Sequence, residues 1–272
     1  MASTASIRVG IGGWTYEPWR NNFYPAGLPH SAELTHASRH LTAIEVNGTY
    51  YSSQRPATFA KWQAQTPAGF MFTLKASRYA TNRRVLAEAG ESITRFVGSG
   101  IAELGDKLGP IVWQFAPTKA FDAVDFEAFL ALLPAQLGQR RLRHAMDARH
   151  DSFKSPAYLA LARKHGVATV FTDSDQYPAI ADLTSDFVYT RLMRTDPELA
   201  AGCTSAALDQ LAACASVWRH GGEPAGVPKV EATAAAMQPR DVFMFFISGA
   251  KEKAPAAAMA LIERLGSDAS TA

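Results

Sequence analysis

The run Val242-Phe243-Met244-Phe245-Phe246-Ile247 (VFMFFI) has an apolar residue at every position. A strand with one wet face alternates apolar and polar residues, whereas a strand covered on both faces is apolar throughout. Six residues is short for a buried helix, and Arg240-Asp241 and Ser248-Gly249 bound the run. The stretch therefore predicts a strand of a parallel sheet wrapped by helices. Extended to Val242–Ser248 it is the last of eight such segments. The others are Ile7–Gly13, Ala43–Asn47, Phe70–Ala76, Gly109–Phe115, His144–Arg149, Ala168–Asp173 and Asp186–Leu192.

Helical stretches separate the segments. Glu33–His40 follows a cap at Ser31, and Pro56 opens a helix that runs through Trp62 and ends before Pro67. Glu91–Leu104 stops at Gly105, and Asp122–Leu133 stops at Pro134. Pro156–His165 has Ser155 as cap and Gly166 as stop; Ser205–His220 ends at Gly221-Gly222, and Pro255–Leu265 ends at Gly266. Proline just inside a helix and glycine just past it suit the backbone at those positions. Only Tyr177–Asp182 is available for a sixth helix, enough for a single turn. Gly221–Arg240, rich in Gly, Pro and Ala, reads as an excursion before the last strand. Eight alternations predict an α/β fold: a closed (β/α)8 TIM barrel forming one domain over residues 1–272, with its core at about residues 7–265.

Bulk properties narrow the function classes. A chain of 272 residues, 47% hydrophobic and 19% charged, buries a sufficient core without disulfides or structural metal. The formal net charge of +2 carries no global signal for nucleic acid. Cys203 and Cys214 lack metal-ligand spacing and are expected to be reduced, partly buried thiols. No apolar run approaches a membrane span. The first strand begins near Ile7, which leaves no room for a cleavable signal, so the expected compartment is the cytoplasm.

Side chains at the C-terminal ends of barrel strands point into a shared bowl, which makes that rim the expected working surface. The rim offers Trp14 and Tyr16, Glu45 and Asn47, Lys75 and Arg78, Gln114, Asp147 with Arg149 and His150, Asp173, Arg191 and Ser248. Period-two alternation puts Glu45 with Asn47, and Asp147 with Arg149, on common faces. Guanidinium and ammonium groups around one mouth predict an anion site built from Lys75, Arg78, Arg149 and Arg191. The plainer alternative is that two of these cations only neutralise Asp147 and Asp173, with Glu45 a structural partner of Arg149. Asp147 and His150 are the candidate acid and base. Asn47 and Gln114 would position groups, and Trp14 would stack on a ligand. Tyr50 and Tyr51 would wall the pocket, while Trp19, Phe23 and Tyr24 would form a packed lid.

Other chemistries find less support. Gly10-Ile11-Gly12-Gly13 fails the dinucleotide fingerprint, because Thr15 stands at the third glycine position and Glu17-Pro18 precedes any helix. Neither cysteine sits at a strand end, and no Gly-x-Ser-x-Gly elbow occurs. Six of the seven histidines fall away from the rim, so a multinuclear metal centre is not expected and no cofactor is identified. One divalent metal on Asp147 or Asp173 is compatible with a phosphate substrate. The expected function is an enzyme, a hydrolase or isomerase, acting on a small phosphorylated or carboxylated substrate. The alternatives are a nucleic-acid-binding or nucleic-acid-processing barrel and a catalytically inactive ligand-binding protein.

The blocks RVGIGGWTYEPWRNNFYP, AIEVNGTYY, GFMFTLKASRYATNRR and LGDKLGPIVWQFAP, with the Arg-His pair in MDARHDSF and the later FVYTRL and APAAAMALIERL, resemble domain of unknown function family 72, the YecE-like family. The similarity runs from about Ile7 to Leu265. It implies a barrel and no established reaction; distant likeness to metal-dependent DNA-repair endonucleases or sugar isomerases implies a class at most. The chain departs from the family pattern at Asn82, Asp147, Phe153, Met193 and the pair Ile247-Ser248. There the family pattern has His, Glu, Trp, His and two Asn. These departures remove groups able to titrate, bind metal or donate hydrogen bonds.

Overall fold

A computed structural model describes residues 5–266. Eight parallel strands close a barrel: β1 (Ile7–Gly12), β2 (Ala43–Val46), β3 (Met71–Lys75), β4 (Leu108–Gln114), β5 (His144–Asp147), β6 (Ala168–Asp173), β7 (Phe187–Leu192) and β8 (Asp241–Phe246). Each pairs with its neighbours in sequence, and β8 closes on β1 with Ile11 opposite Phe246. All eight expected strands are present, with ends within two residues of those read from the sequence.

Helices α1 (Glu33–His40), α2 (Pro56–Gln65), α3 (Gly90–Val97), α4 (Ala123–Ala131), α5 (Pro156–Lys164), α6 (Ser205–Arg219) and α7 (Ala254–Leu265) surround the barrel. The Asp122, Ser155 and Thr204 side chains cap α4, α5 and α6 by accepting backbone N–H bonds. Ser31 does not cap α1; it lies in the 3-10 turn His30–Ala32.

Two expected helices differ. The stretch read as Glu91–Leu104 is broken into α3 and a 3-10 segment, Ile101–Lys107. Gly100 lies between them at φ 106, so close to α2 that a Cβ there would sit 2.7 Å from Pro56. No helix forms between β6 and β7. The excursion before β8 docks there instead: Ala181 N–H donates to Pro228 O at 2.8 Å, and the buried Asp182 carboxylate accepts from the N–H groups of Val230 and Glu231 at 2.7 and 3.1 Å. Asp182 is thus the clamp for a segment without ladder hydrogen bonds of its own. Asp182→Ala is expected to cost about 2 kcal/mol, since each lost bond is charge-assisted. Urea titration would measure it; a loss below about 0.5 kcal/mol would mean the clamp is idle.

Alternation along the strands sorts two cores. Ile7, Val9, Ile11, Ile44, Phe72 and Leu74 face the helices. Ala43, Val112, Ala145, Val170, Phe187, Tyr189, Phe243 and Phe245 pack together inside the barrel. Small alanines against large aromatics fill the interior in layers, so the barrel is solid rather than a pore. Gly10 belongs to this inner face: a Cβ there would lie 1.9 Å from Ala43 O, so strands β1 and β2 meet as closely as only glycine allows. The next inner layer, toward the C-terminal strand ends, is where polar residues begin.

Candidate functional site

Arg191, on β7, organises that layer. It is 1% exposed, and its guanidinium spans the barrel. Nη2 donates to Glu45 Oε1 at 2.8 Å, and Nη1 donates to Asp147 Oδ2 at 2.5 Å and to Gln114 Oε1 at 3.0 Å. Tyr189, two residues earlier and so on the same face, donates to Glu45 Oε2 at 2.8 Å. Its proton being spent there, the Thr73 hydroxyl donates to Tyr189 Oη at 2.8 Å. Arg149 reaches Asp147 Oδ2 with Nε at 3.2 Å and Nη2 at 3.1 Å, and its guanidinium lies 4.2 Å over the Tyr177 ring. Glu45 therefore pairs with Arg191, not with Arg149 as the sequence alternative had it.

Charge follows from this geometry. Burial pushes the Asp147 carboxyl up, but Arg191, Arg149 and Lys75 outweigh it and hold the group below the ordinary carboxylate range. Burial likewise opposes the Arg191 charge, which Glu45 and Asp147 more than restore. Both carboxylates are completely buried, and buried carboxylates persist as ions only when matched in this way.

Lys75 ends β3, and the short helical turn Arg78–Thr81 follows it. It is 6% exposed, and its ammonium lies 4.1 Å from the centre of the Tyr50 ring. Among the described residues its amine makes no hydrogen bond or ion pair. Burial first, then the charge of Arg191, lowers its pKa to about 8, against weaker support from Glu45 and Asp147. The Tyr50 ring is held in the turn Gly48–Tyr51, which begins where β2 ends. Thr49 anchors that turn by donating to Lys75 O at 2.7 Å.

Above the polar layer opens a cleft of about 830 Å³. Asn47, Lys75, Gln114, Arg149 and Arg191 line it, as expected, with Ser248 beside them. Tyr51, Asp175, Tyr177, Met193, Arg194 and Lys251 are also part of the wall. Glu45 and Asp147 sit beneath it as partners of Arg191. The remaining sequence candidates lie elsewhere. Asp173 alternates outward, pairing with Arg194 at 2.6 Å and lining a groove between the strands and α6; Thr172 is the inward residue, 3.4 Å from Asp147 Oδ1. Trp14 turns away to pack edge-on against Trp62 and Phe72. Tyr16 stands under the Lys251 ammonium at 4.4 Å. Arg78 is exposed beside Tyr51 and Tyr79. His150 is absent from the cleft lining; its Nδ1 accepts from Ser152 N–H at 3.2 Å and caps the turn Asp151–Phe153.

Among the described residues no group of three or more His, Cys, Asp or Glu is arranged to hold a metal. The cysteines are unbonded, Cys203 half-buried and Cys214 buried. No helix of the described chain is long and apolar enough to cross a membrane.

The family model described as "Protein of unknown function DUF72" matches residues 8–272. The chain belongs to the DUF72 family. The resemblance carried by the strand-end blocks therefore holds. A relative, UPF0759 protein YunF of Bacillus subtilis, is 25% identical over 164 residues, 56% of this chain. The match spans about half of the relative, 54% of its length. The DUF72 protein TM1631 of Thermotoga maritima has the same fold, with a TM-score of 0.70 over 96% of this chain and 98% of that one, at 19% identity. EF0366 of Enterococcus faecalis superposes with a TM-score of 0.69 over 96% and 98% of the two chains, at 16% identity.

Within this DUF72 barrel, the sequence reading missed Tyr189, Thr73, Thr172, Tyr177, Arg194 and Lys251. Tyr189 was available from period two in FVYTRL, because it shares the face of Arg191. Thr73 and Lys75 share a face by the same rule. Tyr177 sits in an irregular loop and Lys251 opens the 3-10 turn Lys251–Lys253, where strand periodicity gives no direction.

Proposed function

We propose that this barrel is an enzyme that binds a small phosphorylated or carboxylated substrate in the rim cleft and hydrolyses or isomerises it. One observation carries the reading: five cations, Lys75, Arg149, Arg191, Arg194 and Lys251, line the cleft against a single carboxylate, Asp175. Arg191 is consumed by Glu45 and Asp147, and Arg194 by Asp173 and Asp175. Lys75, Lys251 and the Nη1 of Arg149 have no protein acceptor among the described residues. A desolvated cation without a counter-charge is costly, and an anionic ligand supplies what is missing.

In this reading Arg149 and Lys251 hold the anion, and Lys75 lines the floor of the cleft beside them. Gln114, its Oε1 fixed by Arg191, turns its NH₂ to donate, and Asn47 contributes a second amide. Asp147 aligns Arg149 and Arg191 as a fixed anion. The test is calorimetric titration with inorganic phosphate, a triose phosphate and a 2-oxo acid at 0.15 M salt. Arg149→Met and Lys251→Met are each expected to weaken binding about tenfold, which is 1.4 kcal/mol. Failure of every anion to bind, or unchanged affinity in both variants, would overturn the proposal. Tight binding of an oligonucleotide with a steep loss on adding salt would favour a nucleic-acid substrate instead.

A further inference from the structure

Lys75 differs from the other cations of the cleft in more than charge. Its amine lines a cleft open to ligands, yet the residue is 6% exposed and no carboxylate, carbonyl or hydroxyl among the described residues hydrogen-bonds the amine. Arg149 has Asp147 to orient it, and Lys251, which also lies over an aromatic ring, is only half-buried. Lys75 rests on the Tyr50 ring at 4.1 Å. The ring tolerates the ammonium and also packs against an uncharged amine, because it offers a face rather than a counter-ion. The groups facing the amine are mixed in sign: Arg191 and Arg149 against Glu45 and Asp147.

We propose that Lys75 is a nucleophile that forms an imine with an aldehyde or ketone whose anionic group is held by Arg149 and Lys251. The second half of this statement rests on the anion-binding reading; the first half does not. The nitrogen lone pair attacks the carbonyl carbon, a C–N bond forms, and the C=O pair moves to oxygen, which takes the first of the two amine protons. The carbinolamine then loses that oxygen as water, taking a second proton from solvent in the open cleft, while nitrogen gives one up. The net change is amine plus carbonyl to imine plus water, with no change of oxidation state.

An imine withdraws electrons from the adjacent carbon and acidifies its C–H bond. That is the chemistry of isomerisation or of carbon–carbon bond cleavage, and it selects those over hydrolysis. Only the neutral amine attacks. With a pKa of about 8, about a tenth of Lys75 is neutral at pH 7, roughly 10²-fold more than for a lysine of ordinary pKa.

The experiment is borohydride trapping on the full chain, with glyoxylate as the anionic carbonyl and acetaldehyde as the uncharged one, read by peptide mass mapping. The expected result is a reduced glyoxylate adduct concentrated at Lys75, at least tenfold over any other lysine at pH 7, and far less adduct from acetaldehyde. The Lys75 rate should rise to about pH 8 and level off, while surface lysines keep gaining to above pH 10. Equal trapping of both aldehydes at Lys75 would keep the nucleophile and overturn the anion site. Glyoxylate that binds calorimetrically without modifying Lys75 would overturn the nucleophile and keep the anion site. Neither binding nor an adduct at Lys75 would overturn both. Lys75→Met, checked for folding by its melting curve, should abolish the adduct, and Lys75→Arg should retain anion binding without it.

Discussion

Arg191→Met is expected to destabilise the protein by about 3–5 kcal/mol, the range for removing one partner of a buried charge network. Methionine approximates the volume, so little of the loss is cavity. What remains is Glu45 and Asp147, both fully buried, deprived of the guanidinium that bridges them. Asp147 keeps Arg149, and Glu45 keeps only the hydroxyl of Tyr189. The penalty should therefore concentrate at Glu45, whose buried charge is left without its salt-bridge partner.

The pH dependence follows from Asp147. Arg191 is the strongest of the groups that hold the Asp147 carboxyl low, and the stability it contributes this way is present above the unfolded carboxyl pKa and lost in acid, so the variant should be closer to wild type at pH 4 than at pH 7. Asp147 is held low, so its contribution is complete above the unfolded pKa and is lost as pH falls toward the folded one. Glu45→Gln added to Arg191→Met should recover part of the loss, because glutamine still accepts from Tyr189 without a charge. Urea unfolding of the two variants at both pH values measures this. A loss under 1 kcal/mol at pH 7 would show that Arg191 is not the keystone of the barrel mouth.

The same network shows what the sequence could and could not tell. Short apolar segments bounded by turn residues or charges, of which VFMFFI is continuous, mark all eight strands, because a strand covered on both faces has few places for polar residues. Period two pairs Glu45 with Asn47 and Asp147 with Arg149, strand-end position adds Lys75 and Arg191, and the structure has all six at one mouth. The rule was not carried through on β6, where it makes Thr172 inward and sends Asp173 out to Arg194. Partner choice was beyond it: strand order alone does not say that Arg191 rather than Arg149 reaches Glu45. Loops were least legible. Trp14 follows a positive-φ glycine, Gly13 at 76°, that turns the chain outward, and nothing in the preceding strand gives that direction. The absent sixth helix follows the same logic, since a Gly- and Pro-rich excursion 50 residues later fills its place through Asp182.

Lys75→Met is expected to do the reverse of Arg191→Met and stabilise the protein, by about 3 kcal/mol at pH 7. The fall of its pKa from 10.5 to about 8 sets that figure at 1.36 kcal/mol per pH unit. Below pH 8 the amine is protonated in both folded and unfolded chains, so the folded state bears the full cost of burying it. Between pH 8 and 10.5 the folded chain sheds a proton that the unfolded chain keeps, and wild-type stability rises with pH relative to the variant. The gap between Lys75→Met and wild type should therefore be widest at neutral pH and shrink toward pH 10.5. A gap that stays flat across that range would mean the amine is neither desolvated nor perturbed. A barrel interior that can fill this position with an apolar side chain, yet keeps an unpartnered lysine facing a cationic cleft, gives up stability at that point. Residues held against stability in this way are expected where a ligand or a reaction needs them. If the stabilised Lys75→Met variant binds phosphate as tightly as wild type and the wild type forms no reduced glyoxylate adduct at Lys75, that trade is absent and Lys75 has no part in the site.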